Sequence, residues 1–316
     1  MIRRDFLKKI AGFASAAIAT SSLDALKLMA QPMSSPRDFG IQLWSVRQDM
    51  AKDAKGTLKA LASFGYKQIE SFGDGAPENI FWGMKPLEFK NYLDNIGLRL
   101  VSAHCDSEYT LNLARRDEFK TLANDAASIG MKYLINPFMI QLKTIDAYKK
   151  AAEGFNAQGE ICRKAGLRFA YHNHNYSFRK TDGLIPQDVM MQNTDPALVD
   201  FEMDIYWVAD AGEDPVVWLK KYLNRFKLGH FKDHYSNALT AELVKKEVAE
   251  EPELGLNVSC DLGKGVIDFK KIVKEASQAG MEYFFVEQER YDQSTPMLSA
   301  KLNASYMKEN VMNFIR

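Results

Sequence analysis

Tyr133-Leu134-Ile135-Asn136-Pro137, a helix-like run over Ala147–Ala165, Gly166, and then Arg168-Phe169-Ala170-Tyr171-His172-Asn173-His174 form the stretch that decides the architecture. The two short runs are apolar and mostly continuous, as strands of a parallel sheet covered on both faces must be. The longer run between them is amphipathic, and the glycine at its end is the usual left-handed cap of a helix. The second short run closes on two histidines two residues apart. That spacing allows both to point to one face of a strand.

The same unit recurs in both directions. Further strand segments are read at Gly40–Val46, Lys67–Phe72, Arg99–His104, Val199–Met203, Lys227–Lys232 and Tyr283–Glu289, with helices at Ala54–Phe64, Lys85–Ile96 and Glu118–Ile129. Gly65, Gly97, Gly130 and Gly280 stand just before the next strand. Eight strands alternating with helices predict an α/β fold, a single (β/α)8 TIM barrel. A doubly wound sheet shows the same alternation. However, no GxGxxG follows the first strand and no GxxxxGK[ST] occurs anywhere, so the common nucleotide-cradling loops are missing. The segment after the seventh strand is longer, with a helix-like stretch at Ala238–Glu250 and then Leu262–Phe269 before another helix.

The N-terminus reads as an address. Arg3-Arg4-Asp5-Phe6-Leu7-Lys8-Lys9 precedes an apolar stretch, Ile10–Thr20, too short to span a bilayer comfortably, and resembles a twin-arginine export signal. An uncleaved amphipathic helix is the other reading. The expected organisation is a signal over residues 1–30 with cleavage near Ala30, a linker over 31–38, and the barrel over 39–316, giving a periplasmic or otherwise exported protein without a stable membrane span. Composition places few limits on the rest. The 316 residues carry 41 basic and 41 acidic side chains, so there is no general electrostatic pull toward nucleic acid. Cys105, Cys162 and Cys260 are scattered and odd in number, and read as buried apolar residues or free thiols.

The chain has five histidines, and their placement is its most informative feature. His104 ends the third strand, His172 and His174 the fifth, and His230 and His234 flank the end of the seventh. Glu70 ends the second strand, Glu202 and Asp204 the sixth, Glu287 and Glu289 the eighth. In a barrel these ends form the face where an active site assembles. Imidazole and carboxylate converging from several strands suit one divalent ion, Mn, Zn, Co or Mg. In His230-Phe231-Lys232-Asp233, alternation sends His230 and Lys232 inward and Phe231 into the helix layer. Lys232 then either binds a substrate oxygen and stabilises an enolate, or neutralises Glu202. Trp44, Phe72, Phe138 and Trp207 also lie at strand ends, as the aromatic walls of sugar sites do.

Gly40-Ile41-Gln42-Leu43-Trp44-Ser45-Val46-Arg47, Tyr171-His172-Asn173-His174, Phe201-Glu202-Met203-Asp204-Ile205-Tyr206-Trp207, His230-Phe231-Lys232-Asp233 and Val286-Glu287-Gln288-Glu289 together resemble the sugar phosphate isomerase/epimerase family, the xylose-isomerase-like barrels. The resemblance covers essentially all of the chain after the signal. It implies one divalent metal on the fifth to eighth strands, with Asp204, His230 and Glu287 as ligands and His174 or His172 where such relatives carry a glutamate. That glutamate is also one of two acid/base carboxylates in the epimerases, so the histidine here is a departure. The implied catalytic residues are Glu287, His172 and Lys232. Trp44, Glu70, His104, Trp207 and Glu289 are the expected substrate contacts.

The expected function is isomerisation or epimerisation of a free sugar or keto-sugar by proton abstraction next to a carbonyl. The alternatives are a lyase or dehydratase cleaving a 3-keto-glycoside by β-elimination, and an exported sugar-binding barrel without catalysis. An endonuclease of the same fold would call for a basic groove and several clustered metals. A small carbohydrate is the expected partner, with homo-oligomerisation open and nucleic acid excluded.

Overall fold

Residues 38–73, 77–139, 141–236, 259–291 and 294–315 are described by the structure, a computed structural model. They contain β1 (Gly40–Gln42), β2 (Gln68–Phe72), β3 (Arg99–His104), β4 (Tyr133–Asn136), β5 (Arg168–His172), β6 (Val199–Asp204) and β7 (Phe226–Phe231). Next come two short strands, β8 (Asp233–His234) and β9 (Ser259–Cys260), and then β10 (Tyr283–Val286). All but β8 and β9 pair in parallel and close into one barrel in the order β1-β10-β7-β6-β5-β4-β3-β2. Beta8 and β9 form a separate antiparallel ladder. The expected export signal, the linker up to residue 37 and the helix-like Ala238–Glu250 lie outside the described residues. Among the described residues, no helix is long and apolar enough to cross a membrane.

Local chemistry explains the helices. Asp53 accepts from the Gly56 amide at the start of Ala54–Phe64, and Gly65, at φ 112°, ends it. Thr144 caps Ile145–Ala165 in the same way, and Gly166 ends it at φ 93°. The apolar stripe of that long helix buries Phe155 against Phe169 and Tyr171, whose rings lie 5.8 and 4.8 Å away. Each such aromatic contributes on the order of 2–3 kcal/mol by leaving water.

Period-two alternation then sorts the strand residues. On β5, Phe169 and Tyr171 face the helices, while Ala170 lies in the inner cluster with Val101, Tyr133, Ile135, Leu228 and Phe285. This cluster plugs the barrel with apolar side chains. Gly40 belongs to it by default, because a Cβ there would stand 2.4 Å from the Phe285 ring. Two positions further along β5, β7 and β10, the inward residues become His172, His230 and Glu287. Phe231 packs outward on Phe269 at 5.5 Å, as alternation requires.

Five strands stop short of their expected ends, the fourth at Asn136 and the seventh at Phe231 by a single residue. The first ends at Gln42, whose side-chain oxygen accepts from the Trp44 amide and starts a 3-10 turn over Leu43–Val46. The fifth ends at His172, because His174 begins the turn Asn175–Phe178. The eighth ends at Val286. The sixth runs one residue longer than expected, to Asp204, which then caps the helix Ile205–Asp210 by accepting from the Trp207 amide at 3.0 Å.

Candidate active site

Above the apolar plug lies a polar layer built from inward residues of β1, β2, β3, β5, β6 and β7. Glu202 on β6 is its hub. One carboxylate oxygen meets His104 Nε2 at 2.9 Å and His172 Nδ1 at 3.1 Å, and the other lies 3.3 Å from His230 Nε2. Glu70 on β2 stands beside it, 2.6 Å from His230 Nε2 and 3.1 Å from His104 Nε2. Gln42 and Ser102 hold Glu70 by donating to its two oxygens. Ring centroids separate by 5.2 Å for His104–His172, 5.4 Å for His104–His230 and 4.7 Å for His172–His230.

Lys232 forms a second centre. Its ammonium is wholly buried, 3.0 Å from Asp204, 2.8 Å from Glu287 and 2.7 Å from Glu289. The rings of Tyr206 and Trp207 each lie 5.1 Å from it. One ammonium thus neutralises a cluster of carboxylates from β6 and the end of β10. Burial alone would be costly for any of them. Among the described residues Lys232 pairs with these carboxylates and not with Glu202.

Charge follows from these contacts. Burial opposes ionisation of Glu202, but the His230 charge and hydrogen bonds from His104 and His230 outweigh it and hold the carboxyl at about 2. Burial also works against charging His104, yet Glu70 and the bond to Glu202 push it up to about 9. Burial wins at His172, where the neighbouring His230 and His104 charges add to it, and the ring is held well below the ordinary value. His174 is lowered by burial and by His172. Burial raises Asp204 to about 6 against the pull of Lys232, with the Glu287 charge adding to the rise. Glu287 moves down despite burial, because Lys232 and His230 both favour its charge.

A cavity of about 330 Å³ opens above this layer. Trp44, Phe72, Phe138 and Trp207 supply apolar walls, and His104, His172, His174, Glu287 and Glu289 supply the polar ones. No Lys or Arg is among the described residues lining it. The expected substrate contacts Trp44, His104, Trp207 and Glu289 therefore border the cavity. Glu70 does not, because it is fully buried beneath His104 and His230. Asp204, His230 and Lys232 are likewise enclosed below. His172 and Glu287 reach the cavity from β5 and the end of β10.

Ligand atoms of Asp204, His230 and Glu287 lie within 4.8 Å of one another, as do those of His104, His172, Glu202 and His230. His174 joins neither group. With β5 already ended, its ring stacks on Tyr176 and leans on Trp207, 5.6 and 5.3 Å away, and has no hydrogen-bond partner among the described residues. Of the two fifth-strand candidates, His172 and His174, the geometry groups His172 with the cluster. Glu202 was visible as a strand-end carboxylate, but its position at the centre of three imidazoles was not.

These donors suit a divalent ion. Both sets mix nitrogen and oxygen, and Glu202 Oε1, Asp204 Oδ2 and His230 Nδ1 are buried without a hydrogen-bond partner of good geometry. Unpaired buried polar atoms cost free energy that a bound cation offsets.

Comparison with known proteins agrees with the fold. Residues 58–310 match the family model described as xylose isomerase-like TIM barrel. An inosose dehydratase of Clostridium tetani is 29% identical over 169 residues, 52% of this chain and 55% of that protein. One from Clostridium beijerinckii is 31% identical over 170 residues, with the same shares. The chain thus spans about half the length of the curated relatives it matches. A sugar phosphate isomerase/epimerase structure from Parabacteroides distasonis superposes with a TM-score of 0.71 at 27% identity, covering 88% of this chain and 99% of that one. With the family model matching well over half of its length, the chain belongs to the xylose isomerase-like TIM barrel family.

Proposed function

We propose that this protein is an exported enzyme that removes the proton next to the carbonyl of an unphosphorylated keto-sugar or keto-cyclitol and expels the oxygen on the neighbouring carbon. The observation that carries this reading is His174. It lines the cavity, burial keeps its ring neutral, and it alone among the imidazoles there has no hydrogen-bond partner among the described residues. Such a ring accepts a proton without first breaking a bond. Glu287 is also on the cavity, but the Lys232 ammonium engages its carboxylate at 2.8 Å, a bond that taking up a proton would have to break.

The step balances on one group. The C–H bond breaks as His174 takes the proton, its electron pair forms the C=C bond, and the C–O bond on the next carbon breaks. The imidazolium then returns that proton to the departing oxygen, so water or an alcohol leaves. Anionic Glu287 stabilises the transient imidazolium. A divalent ion held by the buried groups around His230 would polarise the carbonyl and acidify the neighbouring C–H. Lys232 is a positioning residue that holds Glu287 in its charged state and fixes the place of Glu289 at 2.7 Å.

The aromatic walls suit a sugar ring, and the missing Lys or Arg suits an unphosphorylated one. Export, supported by Arg3-Arg4 and the apolar stretch after them, fits a substrate outside the cytoplasm. The inosose dehydratase relatives support elimination, and the isomerase/epimerase relatives at 26–27% identity favour epimerisation as the second reading. Incubation of keto-sugars and keto-inositols in deuterated water separates them. Elimination gives an enone absorbing in the near ultraviolet, whereas epimerisation gives deuterium at carbon without one. His174→Asn should slow enone formation at least ~100-fold, the contribution of a positioned general base. A panel showing neither enone nor exchange overturns the reading.

A further inference from the structure

We infer that the divalent ion sits among His104, His172, His230 and Glu202, one layer below the set Asp204, His230 and Glu287, whose two carboxylates Lys232 already serves. The inference rests on the reading that a divalent ion acts in this barrel, and names where.

The rings carry the argument. A tetrahedral ion about 2.1 Å from each ligating nitrogen places imidazole centroids about 5 Å apart. The three separations are 5.2, 5.4 and 4.7 Å. His104 Nε2 and His172 Nδ1 turn toward Glu202, which would complete the set, and His230 Nε2 stands between Glu70 at 2.6 Å and Glu202 at 3.3 Å, so an ion here would take the place of its bond to Glu70. Glu202 is fully buried, and its Oε1 has only the 3.3 Å approach of His230 Nε2, without good hydrogen-bond geometry. No ammonium or guanidinium touches this group among the contacts of the described residues.

The other set is already balanced. The Lys232 ammonium stands 3.0 Å from Asp204 Oδ2 and 2.8 Å from Glu287 Oε2, so a second cation on these oxygens would meet a fixed positive charge at close range. Asp204 and Glu287 instead face the far nitrogens of the proposed ligands. Glu287 lies 3.3 Å from His230 Nδ1, and Asp204 lies 3.9 Å from His172 Nε2. A carboxylate behind an imidazole is the arrangement that orients a metal-bound histidine. His104 and His172 line the cavity, so substrate would reach an ion held here from that side, as a fifth ligand.

The test reads binding rather than turnover. Metal-free protein is loaded with zinc and examined by X-ray absorption, and with cobalt followed by its visible spectrum. One ion per chain with three imidazoles is expected. His104→Ala and His172→Ala should weaken cobalt binding at least ~1000-fold, as loss of a direct ligand. Asp204→Asn and Glu287→Gln should weaken it by ~10–100-fold, the usual effect of an outer partner. A single-imidazole spectrum, or binding abolished by Asp204→Asn and Glu287→Gln but kept by His104→Ala, overturns the placement, and so does wild-type protein that binds no ion. If the histidine variants do not fold, the wild-type zinc spectrum alone decides. Protein that binds the ion as placed, yet leaves every keto-sugar untouched, supports this site and refutes only the proposed reaction.

Discussion

Replacing Lys232 with Met should cost stability and should cost it in a pH-dependent way. The methionine fills most of the lysine's space but removes the ammonium that lies 2.7–3.0 Å from Asp204, Glu287 and Glu289. Removing one member of a buried ion pair costs about 3–5 kcal/mol, because the partner stays buried and charged. Glu289 is a quarter exposed and adds little, so about 4 kcal/mol is expected from Asp204 and Glu287. For a chain of this size that corresponds to a drop of roughly 6–7 °C in Tm. The sign with pH follows from the pKa directions. Glu287 is held low in the folded wild type, so its stabilising contribution is present above the unfolded carboxyl value and is lost as pH falls through the folded one. Without the ammonium the enclosed carboxyls move up, and their penalty is present above the raised values and fades as they protonate. The deficit should therefore be widest at pH 8 and narrow toward pH 5. Melting curves of metal-free protein, with kcat measured on the same preparation, check it. A Tm within 2 °C of wild type at pH 8 would refute the charge-balance account of Lys232. A stable but slow variant would return the residue to a direct catalytic role.

Three further outcomes are expected. Glu287→Gln should lower kcat for enone formation by about 10–100-fold or more, through the lost charge beside both His174 and His230; near-normal turnover would remove Glu287 from the machinery. His234 should titrate above the ordinary imidazole range, because Asp210 accepts from it and adds its charge, while Asp210 itself is lowered. Their mutual stabilisation is then present from about pH 4 to 6.5 and is lost as pH rises through the folded histidine value; an NMR titration of His234 unchanged in Asp210→Asn would contradict this. Replacing Arg3 and Arg4 together by Lys should leave precursor in the cytoplasm, and fractionation that finds normal export would remove the twin-arginine assignment.

Elements closed by local chemistry were legible in the sequence to the residue. Ala54–Phe64 has its Asp53 cap and Gly65 stop within a dozen positions, and Arg99–His104 is bounded by the Gly97 turn. The first strand was overrun because Leu43–Val46 is as apolar as the strand itself, and only the Gln42 side chain turns it away. In the site, period-two alternation placed His230 and Lys232 inward correctly, since it needs one strand only. Which carboxylate each would meet depends on the register between strands. Asp204 pairs with His230 and Glu202 with His172 across neighbouring ladders, and no single segment contains that information. For the same reason Glu202 was seen as one strand-end acid among several, while its central position became visible only with the barrel closed.

Asp233 bears on how this barrel can change over evolutionary time. Its carboxylate accepts the amides of His234, Gly263, Gly265 and Ile267, and β8 pairs with β9 at Asp233↔Cys260 and His234↔Ser259. The chain on both sides of residues 237–258 is therefore clamped by bonds that do not involve those residues. Lengthening a flexible connection between fixed ends costs, in general, only about 0.6 kcal/mol per doubling. The interval 237–258 is thus a site where insertions, deletions or exchange with another segment can accumulate while the catalytic face stays in register. A chimera that swaps this interval should keep the barrel's melting behaviour, whereas Asp233→Ala in the same chain should not.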